Sequence, residues 1–228
     1  MSGFVQPDEG FYYPRIYRDN APTGEDDWLK AVTATAVVLR LLTRDLERIF
    51  ETVEPSACNM KAYGHRLRQH LIAACTEVEA SWAAVLRANN YVRERPTTAD
   101  YVKLADPLHL REYGADFAFH RDLGTVRPFA KWSDGKPTES LGWYHNYNAT
   151  KHDREKNLDR ATLEAAIAAT AAVFLMAVVQ FGDSPFIGLG TELGQSMFRG
   201  PWAPDLRGER YKYVSGQPLT PIPYPFPP

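Results

Sequence analysis

The run from Ala165 to Val179 constrains this chain more than any other segment. Its 15 residues carry no charge, and every position except Thr170 is apolar. A helix that is apolar all round has no face to offer water and must be covered on every side. The run is shorter than the roughly 20 residues a membrane span needs. It is also rich in alanine, which lets neighbours approach closely. The expectation is a buried helix from about Arg160 to Phe181, stopped by Gly182.

The covering helices are legible upstream. Leu29, Val32, Ala36, Leu39, Leu42, Leu46 and Phe50 recur at spacings of three and four, which marks one face of a helix. That helix is expected to start near Glu25 to Asp27, with acids in its first turn, and to end near Glu54-Pro55. Leu67, Leu71, Ala74, Cys75, Val78, Trp82 and Leu86 give a second stripe, on a helix from about Met60 to Asn89. Thr97-Thr98 is placed to cap a short helical piece. After Pro107 the period changes. Leu108, Leu110, Phe117 and Phe119 alternate with polar residues around Gly114, which reads as a small β-hairpin within an insertion of about 107–132. A further helix carries Trp143 to Arg154. The fold class is therefore mainly α: a four-helix bundle with a small β-hairpin insertion. Residues 1–23 read as an extended N-terminal arm, 24–182 as the helical domain, and 183–228 as a tail rich in proline and aromatic residues. The ending PLTPIPYPFPP cannot be helical. It is extended, and either packs across the bundle or meets a protein partner.

Composition narrows the function. A net charge of −2 argues against a broadly basic nucleic-acid binder and leaves room only for a local patch. The two cysteines, Cys58 and Cys75, are read as lying in one helical stretch as reduced thiols, with no zinc spacing around them. The first residues, MSGFVQPDEGFYYPR, lack the basic and apolar regions of a signal peptide, so a cytoplasmic location is the expectation. No phosphate-binding glycine loop is present at P-loop or dinucleotide spacing, and Gly188-Leu-Gly190 is set aside for want of the rest of such a motif. No metal site or cofactor is expected. His65, His109 and His120 read as isolated structural or surface histidines.

The concentration of chemistry lies in Trp143-Tyr144-His145-Asn146-Tyr147-Asn148-Ala149-Thr150-Lys151-His152-Asp153-Arg154. On a helix, His145, Asn148 and His152 are spaced i, i+3, i+7 and share a face. Lys151 lies beside Asn148, and Arg154 continues just beyond. Trp143, Tyr147 and Thr150 fall on a neighbouring face that suits the core. Imidazole, amide, ammonium and guanidinium groups together can hold a phosphate, and an imidazole can move protons at neutral pH. The bland alternative is an amphipathic core helix with a wet end, in which Lys151, Asp153 and Arg154 make weak surface ion pairs. On the second helix, Glu77 is the acid placed to orient His152 or to pair with Lys151. Glu79 is assigned to solvent.

A helical bundle with a polar residue, three residues and then histidine on its third helix resembles the HEPN superfamily. The matching stretch is Tyr147-Asn148-Ala149-Thr150-Lys151-His152, and the resemblance covers about Asp26 to Gly182. It implies a metal-independent ribonuclease of a bacterial defence or toxin–antitoxin type, working as a homodimer. Asn148 and His152 would be catalytic, Lys151 and Arg154 would bind phosphate, and His145, Glu77 and Tyr147 would support them. The chain departs from the family pattern at Tyr147, which stands where the catalytic arginine belongs. Two other readings follow from that departure: a non-catalytic HEPN-like module that binds RNA or another partner, and an assembly protein with the tail as docking arm. Exposure of His152 separates the first two from the third, which would bury it.

Overall fold

The computed structural model describes residues 3–24, 26–187 and 197–227. Gly188-Leu-Gly190 and Glu25 lie outside the described residues, and the helix expected to start near Glu25 to Asp27 is described from Asp26. The elements in chain order are β1 (Phe11–Tyr12), α1 (Asp26–Phe50), α2 (His65–Ala88), α3 (Thr98–Tyr101), β2 (Gly114–Phe117), β3 (Thr125–Val126), α4 (Gly142–His152), α5 (Arg154–Asn157), α6 (Leu163–Phe181), β4 (Phe198–Trp202) and β5 (Thr220–Pro221). The architecture is mainly helical with small sheets.

α6 is the apolar run, and all of it except Glu164 and Ala168 is buried. It has the length and apolarity of a membrane-crossing helix, but α1, α2 and α4 enclose it. Thr162 starts it by accepting a hydrogen bond from the Ala165 N–H at 3.2 Å. Gly182 ends it with φ of 82°. A Cβ there would also collide with the Tyr17 ring, so two separate demands call for glycine.

The stripes on α1 and α2 face this helix, with one shift. Leu29 is 55% exposed, and the first turn of α1 is anchored instead by Trp28, whose ring meets Phe181 edge-on at 6.2 Å. α2 begins at His65 rather than Met60, after a separate 3-10 turn at Ala57–Asn59. Cys58 is therefore outside α2 and exposed, while Cys75 is fully buried and its thiol is pushed well up by burial. At the far end, Asn89 stops the helix and also joins three segments. Its amide nitrogen donates to the Pro14 and Val85 carbonyls at 2.9 Å each, and its oxygen accepts from the Tyr224 N–H at 2.8 Å. Thr97 and Asp100 form a reciprocal cap on α3.

The β insertion is present but its pairing differs from the expected hairpin. Leu108 and Leu110 are buried in a turn, not a strand. Gly114 is inside β2, where the Thr125 side chain approaches so closely that a Cβ has no room. β2 pairs antiparallel with β3 on one side and with β4 on the other. The third strand thus comes from the tail, and its Phe198 stacks flat on Phe174 of α6 at 4.2 Å.

The arm and the rest of the tail pack together. β1 and β5 pair in parallel. Tyr211 and Tyr224 are buried, and the Tyr211 hydroxyl donates to the Ile16 carbonyl at 2.5 Å. Arg18 is buried beneath the Phe4 ring and bonds Glu209 at 3.0 Å. His109, expected to be isolated, bridges Glu112 and Glu209 at 2.8 Å each. Over residues 197–227 the tail is a packed strap whose main aromatics are already engaged.

Candidate functional site

α4 is held by its aromatic side. Trp143 and Tyr144 pack on Trp82 of α2, and the Trp143 indole donates to the Pro128 carbonyl at 2.9 Å. Tyr147 and Thr150 are fully buried. With that face fixed inward, the 100° step per residue turns His145, Asn148 and His152 outward. His145 and Asn148 are half-buried and His152 is exposed. Neither Asn148 nor His152 has a hydrogen-bond partner among the described residues.

The chain breaks at Asp153, with φ −140° and ψ 86°. Its carboxylate caps the next turn by accepting from the Lys156 N–H at 3.2 Å. α5 and a 3-10 turn at Leu158–Arg160 then fold the chain back along α4. The consequence is local and specific: Arg160 Nη1 reaches His145 Nε2 at 3.2 Å. A guanidinium thus joins the outward face from twelve residues beyond Asn148.

The cations expected beside His152 are placed otherwise. Lys151 turns back along the helix, where its ammonium donates to the Tyr147 hydroxyl at 2.8 Å and lies 5.0 Å from the ring centroid. That hydrogen bond, with the nearby Glu79 carboxylate adding to it, raises Lys151 above its ordinary value. Arg154 is exposed on α5, past the break, and is not continuous with the α4 face. The Asn148–Lys151–His152–Arg154 constellation is therefore split, with Lys151 on a different flank from His152.

The acid of α2 is also not the one expected. Glu79 accepts from the Tyr144 hydroxyl at 2.6 Å, and it is the carboxylate that Lys151 feels. Burial and this bond push the Tyr144 phenol far above its ordinary range. Glu77 makes no hydrogen bond or ion pair among the described residues and supports neither His152 nor Lys151. The heptad explains the exchange: Cys75, Val78 and Trp82 point at α6 and α4, and Glu79 sits on the α4 flank of that stripe. Only the side on which α4 packs decides between the two acids, and a sequence does not state it.

Two arginines take roles beyond those the sequence suggests, Arg160 as the start of the next helix and Arg68 as a surface partner for Glu77 or Glu79. Arg68, on α2, donates Nε–H to the Thr150 carbonyl at 3.0 Å and so caps the C-terminal end of α4. Among the described residues no three histidine, cysteine or acidic side chains gather as a metal-binding group.

No protein-family model, curated protein or solved structure matches this chain.

Proposed function

We propose that this protein is an HEPN-like helical bundle that engages RNA through the outward face of α4. Asn148 and His152 meet the phosphodiester, and His145 and Arg160 contribute donors and positive charge. The observation that carries the reading is His152, exposed and without a partner among the described residues, on the same face as Asn148 and His145, with Arg160 held against His145. A phosphodiester meets amide, imidazole and guanidinium donors there, the set that binds such an anion best.

In the ribonuclease form of this reading, His152 takes the proton of the ribose 2′-hydroxyl as its oxygen attacks phosphorus. The 5′-oxygen leaves with a proton from a general acid, and the products are a 2′,3′-cyclic phosphate and a 5′-hydroxyl end. One copy offers a single unpaired imidazole on this face, because His145 rests on Arg160. The second proton carrier comes from a second copy, in a homodimer.

One observation favours binding without cleavage. Tyr147, at the position where the resemblance calls for arginine, is sealed in the core, and Lys151 is committed to its hydroxyl. The readings part in one experiment: purified protein, His152→Ala and Arg160→Ala are each incubated with total RNA in EDTA, then run on denaturing and native gels. Cleavage that survives the chelator and disappears in His152→Ala supports the ribonuclease. A retarded but intact RNA, released by Arg160→Ala, supports the binding module. If the RNA is neither cleaved nor retarded, an RNA-directed role is refuted.

A further inference from the structure

A cavity of about 600 Å³ opens between the first turn of α4, the start of α6 and the segment from Leu123 to Lys131. That volume lies in the range of small-molecule sites. Ala165, Ile167 and Ala168 of α6, with Leu123 and Val126, give it an apolar floor to which the two alanines add only methyl groups. The indole of Trp143, fixed through its N–H to Pro128, forms a wall.

The rim has the opposite character. Lys61, Arg127 and Lys131 line it, and the one acid among the lining residues, Glu164, is already paired with Lys61 at 2.7 Å. Lys131 is exposed and has no partner among the described residues. Arg127 is immobilised, its guanidinium stacked 4.1 Å from the Trp202 ring and one nitrogen donating to the Glu112 carbonyl. The half-buried Asn146 amide also faces the cavity, without a hydrogen-bond partner among the described residues. No side chain caps the first turn of α4, and the space around Gly142 is open.

We propose that this cavity is a binding site for a nucleoside monophosphate. The base lies flat on the Ala165–Ala168 floor, with its polar edge on Asn146. The phosphate is held by Lys131 and Arg127 at the rim. An apolar slot alone would suit any small hydrophobe, and a basic rim alone any anion. The two together in one cavity select a ligand with a flat body and a charged end. The site borders the outward face of α4 at His145, but neither Asn148 nor His152 lines it, and it does not depend on that face acting on RNA.

The test is a titration of the full-length protein with adenosine and guanosine monophosphates, cytidine and uridine monophosphates, the free nucleosides and inorganic phosphate. Quenching of tryptophan emission and calorimetry report binding. At least one monophosphate is expected to bind at least tenfold more tightly than its nucleoside and than phosphate alone. Lys131→Glu should weaken it by about tenfold or more, the effect of losing one charge-assisted contact. Ala168→Leu, which fills the floor, should abolish binding while circular dichroism and the melting temperature verify the fold. If that variant does not fold, Lys131→Glu and the comparison with nucleoside still decide, since Lys131 is exposed. His152→Ala should bind the nucleotide as the unmodified chain does, which separates failure of this site from failure of the RNA face. The proposal is overturned by no binding at millimolar nucleotide, by equal binding of nucleoside and nucleotide, or by indifference to Lys131→Glu.

Discussion

His70 makes folding of this protein sensitive to mild acid, and the size of the effect follows from its surroundings. The ring is buried between α1 and α6, with Nδ1 on the Asp45 carboxylate at 2.9 Å and Nε2 on the Thr170 hydroxyl at 2.8 Å. Asp45 alone would favour the charged imidazolium, but its carboxylate is shared with Arg66. Burial dominates, and with the Arg66 charge it pushes His70 down from 6.5 to about 4. Because the folded-state pKa is depressed, the unfolded chain binds the proton more readily, and stability is lost as pH falls from about 6.5 toward 4. From those two values, the loss from this one group is about 1.5 kcal/mol at pH 5.5 and about 3 kcal/mol at pH 4. Below the folded-state value both states are protonated and the loss levels off. Urea unfolding at pH 7, 5.5 and 4.5, on the unmodified chain and on His70→Gln, exposes the term because every carboxylate except Asp45, which bonds His70, keeps its surroundings in both. The variant should be less stable at pH 7 and lose distinctly less on acidification. Parallel profiles for the two proteins would refute the reasoning.

Three further outcomes are expected. Tyr147→Arg, which restores the residue type of the HEPN pattern, should destabilise by more than about 3 kcal/mol and create no nuclease, because the site is sealed and Lys151 already lies beside it; a folded, active variant in thermal melts and RNA assays would contradict the placement of Tyr147. Trp82 is fully buried, stacked on Trp132 at 4.9 Å, and its indole N–H has no partner among the described residues. Trp82→Ala should cost about 3–5 kcal/mol while Trp82→Phe costs less than about 1.5, since the latter removes an unpaired donor and keeps most of the ring contacts; equal losses in urea melts would count against this. Tyr144→Phe should cost about 1.5–3 kcal/mol by leaving the Glu79 carboxylate without its phenol, and Glu79→Gln, which keeps an acceptor, should cost less; the reverse order in denaturant midpoints would show that the hydroxyl bond is not what holds α4 to α2.

The sequence by itself determined the helices that matter. Ala165 to Val179 could not face water on any side, so a mainly helical protein built around α6 followed from the pattern alone. It also determined which face of α4 turns outward, because Trp143, Tyr147 and Thr150 form a core stripe and the geometry of a helix places His145, Asn148 and His152 opposite. Tertiary structure decided everything that depends on the angle and side of packing. Glu77 and Glu79 differ by two residues on one helix, and the position of α4 gives the partner to Glu79. Lys151 had two flanks open to it and took the phenol of Tyr147. Arg160 reached His145 through the chain reversal after Asp153, a contact that the spacing of the two residues does not announce. The sheet was half hidden for the same reason. β2 reads as a strand, but its partner β4 lies some eighty residues away in a segment whose prolines and glycines disguise it. Periodicity records which side of an element is apolar. It does not record which neighbour will cover that side, and the candidate site is assembled from those neighbours.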